Sequence, residues 1–147
     1  MSAGFVGEFN HSLDAKGRLI LPSRFRSEFD GKCYISKGYD KTLSIYTVEE
    51  WGKFIEKLST LSVHNAAARQ IRRFFASSAA ECDLDKQGRI VIPPNLRSFL
   101  ELPEDSTDVV VVGAIEKIDV WSADNWKKYT EDIVIEEAGE KLAELGL

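Results

Sequence analysis

Cysteine, histidine and methionine are scarce in this chain, with two, two and one in 147 residues. The two thiols, Cys33 and Cys82, stand far apart without a Cys-x-x-Cys spacing, which excludes a disulfide scaffold and fits a reducing compartment. No uncharged run approaches the ~20 apolar residues that cross a bilayer, and no basic segment at the N-terminus leads into an apolar one. Neither membrane insertion nor secretion is expected, and the cytoplasm is the expected location. P-loop, Rossmann-glycine and Gly-x-Ser-x-Gly patterns are also missing, which removes the common nucleotide-dependent and hydrolytic chemistries.

What is present is a core. Apolar residues make up 44% of the chain and aromatics 10%, too much for a disordered segment and enough for one domain or two small units sharing an interior. The net charge of −5 is uneven: residues 1–80 carry +4 and residues 81–147 carry −9. Six acids (Glu131, Asp132, Glu136, Glu137, Glu140, Glu144) against the single base Lys141 fall in the last seventeen residues, so the body without this tail is neutral. Global charge therefore neither requires nor forbids a polyanionic partner.

An internal repeat organises the chain. Asp14-Ala-Lys-Gly-Arg-Leu-Ile-Leu-Pro-Ser-Arg-Phe-Arg-Ser27 returns as Asp85-Lys-Gln-Gly-Arg-Ile-Val-Ile-Pro-Pro-Asn-Leu-Arg-Ser98, with six identities: Asp14/Asp85, Gly17/Gly88, Arg18/Arg89, Pro22/Pro93, Arg26/Arg97 and Ser27/Ser98. Further on the shift grows by four residues, inserted around 102–105, and Gly38, Ile45, Trp51, Lys53 and Glu56 meet Gly113, Val120, Trp126, Lys128 and Glu131. The expected organisation is a first half over 1–62, a bridging helix over 63–76, a second half over 77–133 and an acidic, helical C-terminal tail over 134–147.

Each half reads as strand, tight turn, strand, short helix, hairpin and helix. In the first, 5–13 and 18–21 are strands forming a hairpin around Asp14-Ala-Lys-Gly17, where glycine supplies a positive φ. Thr47 with Glu50 is a capping signature for a helix carrying Trp51, Phe54, Ile55 and Leu58, and Ser122 caps the corresponding helix with Trp126, Tyr129 and Ile133. In the bridging helix, Ala67, Ile71, Phe74 and Phe75 share one face, with Arg69, Arg72 and Arg73 projecting on another.

The doubled Asp-x-x-Gly-Arg turn is the strongest chemical signal. Lys16 and Arg18, with Lys86 and Arg89, bring positive charge to two exposed tips, and a two-stranded ribbon fits the major groove, where arginine grips guanine in bidentate fashion and lysine holds phosphate. Asp14 and Asp85 would orient those arginines. The other reading of the same residues is structural: the motif closes a turn and its ion pair stabilises it. The residues leave both open.

The paired motifs Asp14-Ala-Lys-Gly-Arg18 and Asp85-Lys-Gln-Gly-Arg89, spread over a tandem chain of this length, resemble the MraZ family with its twice-occurring Asp-x-x-x-Arg motif. The Gly-Arg-apolar-apolar-apolar-Pro run also resembles the wider AbrB-like group of swapped-hairpin transcription factors. The resemblance implies a sequence-specific regulator of transcription that binds double-stranded DNA at short direct repeats ahead of a division and cell-wall gene cluster. It further implies nucleoid association, self-association into a ring-like homo-oligomer, and Arg18 and Arg89 as the leading DNA contacts with Lys16 and Lys86 beside them. Arg26 and Arg97 match basic positions of the AbrB-like helix, although their stems serve equally to cover core surface. The first tip has Lys16 where the second has Gln87, so the halves are expected to contribute unequally.

Two other classes compete. His11 and Cys82 hold equivalent repeat positions, and with His64 and Cys33 they are the only soft metal ligands. They lack ligand spacing, so no metal, cofactor or catalytic site is expected. A protein-binding adaptor or antitoxin-like module is the remaining alternative, with the acidic tail as its support. The expected fold is β-rich α+β, two pseudo-symmetric AbrB-like halves interleaved into a swapped-hairpin barrel with peripheral helices, because one half of about 60 residues would be marginal alone and would expose strand edges.

Overall fold

The computed structural model describes residues 4–147; the first three residues of the expected 1–62 half lie outside them. The first repeat contributes β1 (Glu8–Ser12), β2 (Arg18–Ile20), α1 (Ser23–Arg26), β3 (Lys32–Lys37), β4 (Leu43–Tyr46) and α2 (Val48–Ser59). After α3 (Ala66–Ser78), the second contributes β5 (Ala80–Asp83), β6 (Arg89–Val91), α4 (Pro94–Phe99), β7 (Asp108–Gly113), β8 (Ile118–Ser122) and α5 (Ala123–Glu131), and α6 (Ile135–Glu144) ends the chain. The fold is β-rich α+β, built from two copies of one unit.

The strands assort between the copies. A six-stranded antiparallel sheet runs β1-β7-β8-β4-β3-β5, and β2 pairs with β6 in a separate antiparallel ribbon. Each repeat thus lays its first strand along the other repeat's hairpin: β1 on β7, β5 on β3. Among the described residues, β1 and β5 end the sheet at opposite edges, and no ladder closes it into a barrel.

One sequence expectation is corrected here. The hairpin between 5–13 and 18–21 exists only as its turn, where the Asp14 amide donates to the Arg18 carbonyl at 3.1 Å and the Gly17 amide to the Asp14 carbonyl at 2.9 Å. Beyond that turn β1 and β2 part, because each has a better partner in the other repeat. Five residues of β1 pair with β7, and the short β2 pairs with the equally short β6 so that Leu19 and Ile90 go fully inside together.

Alternation sets the core. Cys33, Ile35, Leu43, Ile45, Val109, Val111, Ile118 and Val120 point from one sheet face toward Leu19, Leu21, Ile90 and Ile92 of the ribbon segments and Phe25 and Leu96 of α1 and α4. Each fully buried aliphatic contributes on the order of 1.5–3 kcal/mol. Pro22 and Pro93 sit at the N-caps of α1 and α4, where a missing amide costs nothing. On the opposite sheet face, α2 is capped by Thr47 Oγ1 accepting from the Glu50 amide at 3.1 Å, and Trp51 stacks on Tyr34 with centroids 5.4 Å apart. The second copy repeats this, with Ser122 Oγ accepting from the Asn125 amide at 3.1 Å and Trp126 set edge-on to Trp121 at 5.3 Å.

The helix between the repeats buries only Phe75 of its apolar face. Phe75 is buried, but Ala67, Ile71 and Phe74 are exposed, while Arg69 and Arg72 turn back on the preceding loop and donate from Nη1 to the carbonyls of Val63 (2.8 Å) and Leu61 (3.0 Å). The loop after α2 supplies unpaired carbonyls, and two arginines satisfying them outweigh the burial of Ile71. Only Arg73 of the three arginines remains exposed.

Candidate nucleic-acid interface

Both Asp-x-x-Gly-Arg turns have the same geometry. Asp14 Oδ1 accepts from the Lys16 amide at 2.9 Å and the Arg18 amide at 2.8 Å, and its Oδ2 accepts from Arg18 Nε at 2.5 Å. Asp85 repeats the set with Gln87 at 2.9 Å, Arg89 at 2.9 Å and Arg89 Nε at 2.7 Å. The arginine backbone amide leads in holding each carboxyl below the usual carboxylate range, and the guanidinium and the intervening amide add to it. Each aspartate therefore stays ionised and fixes both its turn and its arginine.

The turns are also braced across the repeats. Gly17 and Gly88 adopt φ +74° and +78°, and their carbonyls accept from Ile92 and Leu21 of the other repeat, both at 2.9 Å. A Cβ on Gly17 would approach the Arg97 guanidinium at 2.6 Å, and one on Gly88 would overlap the Arg26 side chain. Those arginines are half-buried and donate from Nε to the carbonyls of Ile92 (3.1 Å) and Leu21 (2.8 Å). Each repeat thus lays its helix arginine over the other repeat's turn.

The register of the ribbon brings the motif arginines onto one surface. Arg18 pairs with Val91 and Ile20 with Arg89, so these four side chains share the outer face while Leu19 and Ile90 face the core. Arg18 and Arg89 are diagonal neighbours, for which backbone separations of about 7–8 Å are normal. Instead of two separate tips the structure has one pseudo-symmetric face, two arginines flanked by the exposed Ile20 and Val91. Lys16 and Lys86 stand exposed in the adjoining turns, at opposite ends of the ribbon. Their side-chain charges and those of Arg18 and Arg89, less Asp14 and Asp85, leave this surface at +2.

The arginines are partly ordered before any ligand arrives, with side chains 28% and 27% exposed and Nε already committed. Among the described residues the Nη groups have no partner and are the donors left for a ligand. Sequence reasoning found the arginines but missed Ile20 and Val91, because an apolar triplet Leu-Ile-Leu or Ile-Val-Ile does not show which member faces out.

His11 and Cys82 are not brought together. His11 lies on edge strand β1, where burial and then the charge of Arg26 lower its pKa, and Cys82 lies on the opposite edge strand β5. Cys82 instead faces Cys33 directly across the β3–β5 ladder, and both thiols are free. The neighbouring Cys82 thiol, then burial, raises the Cys33 pKa, and the Cys33 thiol lowers that of Cys82, whose Sγ donates to the Val91 carbonyl at 3.8 Å. Among the described residues no three His, Cys, Asp or Glu side chains gather as a metal site.

A tandem module with interleaved strands and a paired-arginine ribbon is the class that this geometry defines. The model of the family described as "MraZ protein, putative antitoxin-like" matches residues 5–74 and again 75–145. A protein named transcriptional regulator MraZ from Alkaliphilus metalliredigens (strain QYMF) is 44% identical over 145 residues, covering 97% of this chain and 99% of that protein. Proteins of the same name from Thermoanaerobacter pseudethanolicus (40% over 144 residues; 97% and 99% covered) and Halothermothrix orenii (42% over 139; 95% and 94%) are similar in the same way. The chain belongs to the MraZ family.

Proposed function

We propose that the protein is a sequence-specific regulator of transcription that reads double-stranded DNA with the outer face of the β2–β6 ribbon. The observation that carries this reading is the placement of Arg18 and Arg89 on one exposed face, each oriented by its own aspartate and each with its Nη groups left over. A two-stranded ribbon fits the major groove, and the diagonal spacing of the arginines spans about two base steps, so each can take the O6 and N7 of a guanine. Lys16 and Lys86 hold phosphate on either side, and Ile20 and Val91 are placed to meet thymine methyl groups. Arg26 and Arg97 serve by bracing the turns. The names of the relatives support regulation rather than catalysis as the activity.

The finer picture is of short direct repeats ahead of a division and cell-wall gene cluster, bound in the cytoplasm at the nucleoid by a ring-like homo-oligomer whose interleaved halves each act as a swapped-hairpin unit. A surface with so small a net charge neutralises few phosphates, so one subunit binds weakly at physiological salt. Several subunits in a ring would gain on the order of 10²–10⁴ in avidity on correctly spaced repeats. Titrating duplexes with one, two and three repeats tests this: affinity should climb with repeat number and fall when the spacing changes by half a helical turn. Equal affinity for all of them would refute the repeat mechanism.

The adaptor reading has one observation in its favour. A groove of about 830 Å³ beside Phe5, Phe29 and Val48 is lined by Glu28, Asp30, Glu49, Glu50 and Glu116 against one base, Lys32, a net acidic surface suited to a basic protein. Co-purification of a basic partner that leaves when Glu49 and Glu50 are changed to glutamine would favour it.

A further inference from the structure

The two motif turns match in everything that holds their shape and differ in two exposed side chains. In both, one aspartate oxygen accepts from the amides two and four residues on, the other accepts from the arginine Nε, and the glycine is left-handed. Between aspartate and glycine the first turn has Ala15 and Lys16, the second Lys86 and Gln87, all four exposed. The lysine has moved by one residue, and a carboxamide stands where Lys16 does. Charge does not change with it: Asp14, Lys16 and Arg18 sum to +1, as do Asp85, Lys86 and Arg89. What differs between the two ends of the ribbon is hydrogen-bonding chemistry.

Gln87 springs from a fixed backbone. Its amide is held by Asp85 Oδ1 at 2.9 Å, the carboxylate that also orients Arg89, and the carbonyl of the next residue, Gly88, accepts from the Leu21 amide of the other repeat at 2.9 Å. Among the described residues its side-chain amide has no hydrogen-bond partner. The pairing of Arg18 with Val91 and Ile20 with Arg89 continues into the two glycine bonds, so the order along the ribbon is Lys16, Arg18, Arg89, Gln87. A carboxamide donates and accepts together, which matches the N7 acceptor and N6 donor of adenine. An ammonium only donates, so it can take a phosphate or a guanine but has nothing to offer the adenine N6.

We propose that Gln87 reads an adenine on the outer side of the guanine held by Arg89, while Lys16, at the equivalent place beyond Arg18, selects no adenine. This rests on the ribbon reading above and gives that ribbon a direction. Two identical turns related by a pseudo-two-fold axis would accept a DNA box equally in either orientation. With the carboxamide at one end only, the preferred box is asymmetric and each subunit sits on it one way round. That polarity is what lets the protein tell direct repeats from inverted ones. Lys86 keeps the phosphate contact at the Gln87 end, so the two ends share the affinity but not the choice of base.

The test uses the full-length chain, duplexes selected from a random library, and the variants Gln87→Ala, Lys16→Gln, Arg18→Ala and Arg89→Ala, each verified as folded by its thermal transition. Wild type should favour adenine at one pair outside one guanine by about 5- to 150-fold. Replacing that adenine with 7-deazaadenine, which lacks the N7 acceptor, should weaken wild type and leave Gln87→Ala unaffected. A glutamine with a merely structural role would not make binding depend on one base atom. Lys16→Gln should gain a second adenine preference outside the other guanine, so that its selected box becomes nearly palindromic. A wild-type box without such an adenine, a Gln87→Ala chain that keeps the preference, equal sensitivity of both chains to 7-deazaadenine, or no second adenine with Lys16→Gln would overturn the proposal. Arginine variants that keep their guanine preference would overturn the ribbon reading and this proposal with it. Loss of guanine preference in the arginine variants, with the adenine preference unmoved by Gln87→Ala, would leave the ribbon standing and remove Gln87 alone.

Discussion

Replacing Gly88 with alanine tests the cross-repeat brace, because two separable costs meet at that position. Its φ of +78° is a left-handed conformation that costs an L-residue roughly 1–2 kcal/mol. The new methyl also overlaps the Arg26 side chain, which must move and give up its 2.8 Å bond to the Leu21 carbonyl, a net hydrogen bond worth about 1 kcal/mol. Gly88→Ala should therefore destabilise by about 2–3 kcal/mol, which for a chain of this size is a fall in Tm of roughly 4–12 °C. The assay is urea unfolding of wild type, Gly88→Ala, Arg26→Ala and the double variant. With Arg26 truncated the methyl has room and only the φ strain remains, so the double variant should lose less than the sum of the singles by about 0.5–1.5 kcal/mol. Additive effects would mean that Arg26 does not cover the Gly88 turn. A single variant as stable as wild type would mean that the turn is not left-handed.

Three further outcomes follow from the same geometry. Ile90→Ala should cost about 2–5 kcal/mol in urea unfolding, whereas Val91→Ala, one residue along on the outer face, should stay within about 0.5 kcal/mol; similar losses would place the ribbon the wrong way round. Because Asp14 and Asp85 are held below the ordinary carboxylate pKa, their contribution is fully present above that value and is lost as pH falls through their lowered folded values. In an NMR titration the amides of Lys16, Arg18, Gln87 and Arg89 should keep their bonded shifts until below the ordinary aspartate range, and release at or above it would contradict the turn geometry. Residues 1–62 expressed alone lack β5, β6 and β7, the partners of β3, β2 and β1, and should not form a stable folded monomer; a cooperative unfolding transition from such a monomer would refute the interleaved topology.

Local signals in the sequence carried much of this structure. Asp14, Gly17 and Arg18, with Asp85, Gly88 and Arg89, declared their turns, and Thr47 and Ser122 declared their helix starts, since each acts on atoms only a few residues away. What the sequence left unreadable was which strand goes where. Nothing in residues 8–12 distinguishes pairing with β2 from pairing with β7, because that choice is decided by the burial of Leu19 against Ile90, 71 positions apart. The same limit hid the meeting of Arg18 and Arg89 on one face and the opposition of Cys33 and Cys82 across a ladder. In α3, periodicity alone grouped Ile71 and Phe74 with Phe75 on one face. The tertiary need to satisfy the carbonyls of Leu61 and Val63 with Arg72 and Arg69 turned that stripe outward.

The central claim is that the paired arginines of the β2–β6 ribbon read DNA. Its most direct test selects binding duplexes from a random library with the wild-type chain, then titrates the best duplex with Arg18→Ala, Arg89→Ala and Lys16→Ala, all verified as folded. Each arginine variant should lose about 1–3 kcal/mol, roughly 5- to 150-fold in Kd, with relaxed preference at one base pair. Lys16→Ala should weaken all sequences alike and flatten the salt slope by about 0.9. Folded arginine variants that bind the selected duplex with wild-type affinity and specificity would contradict the claim.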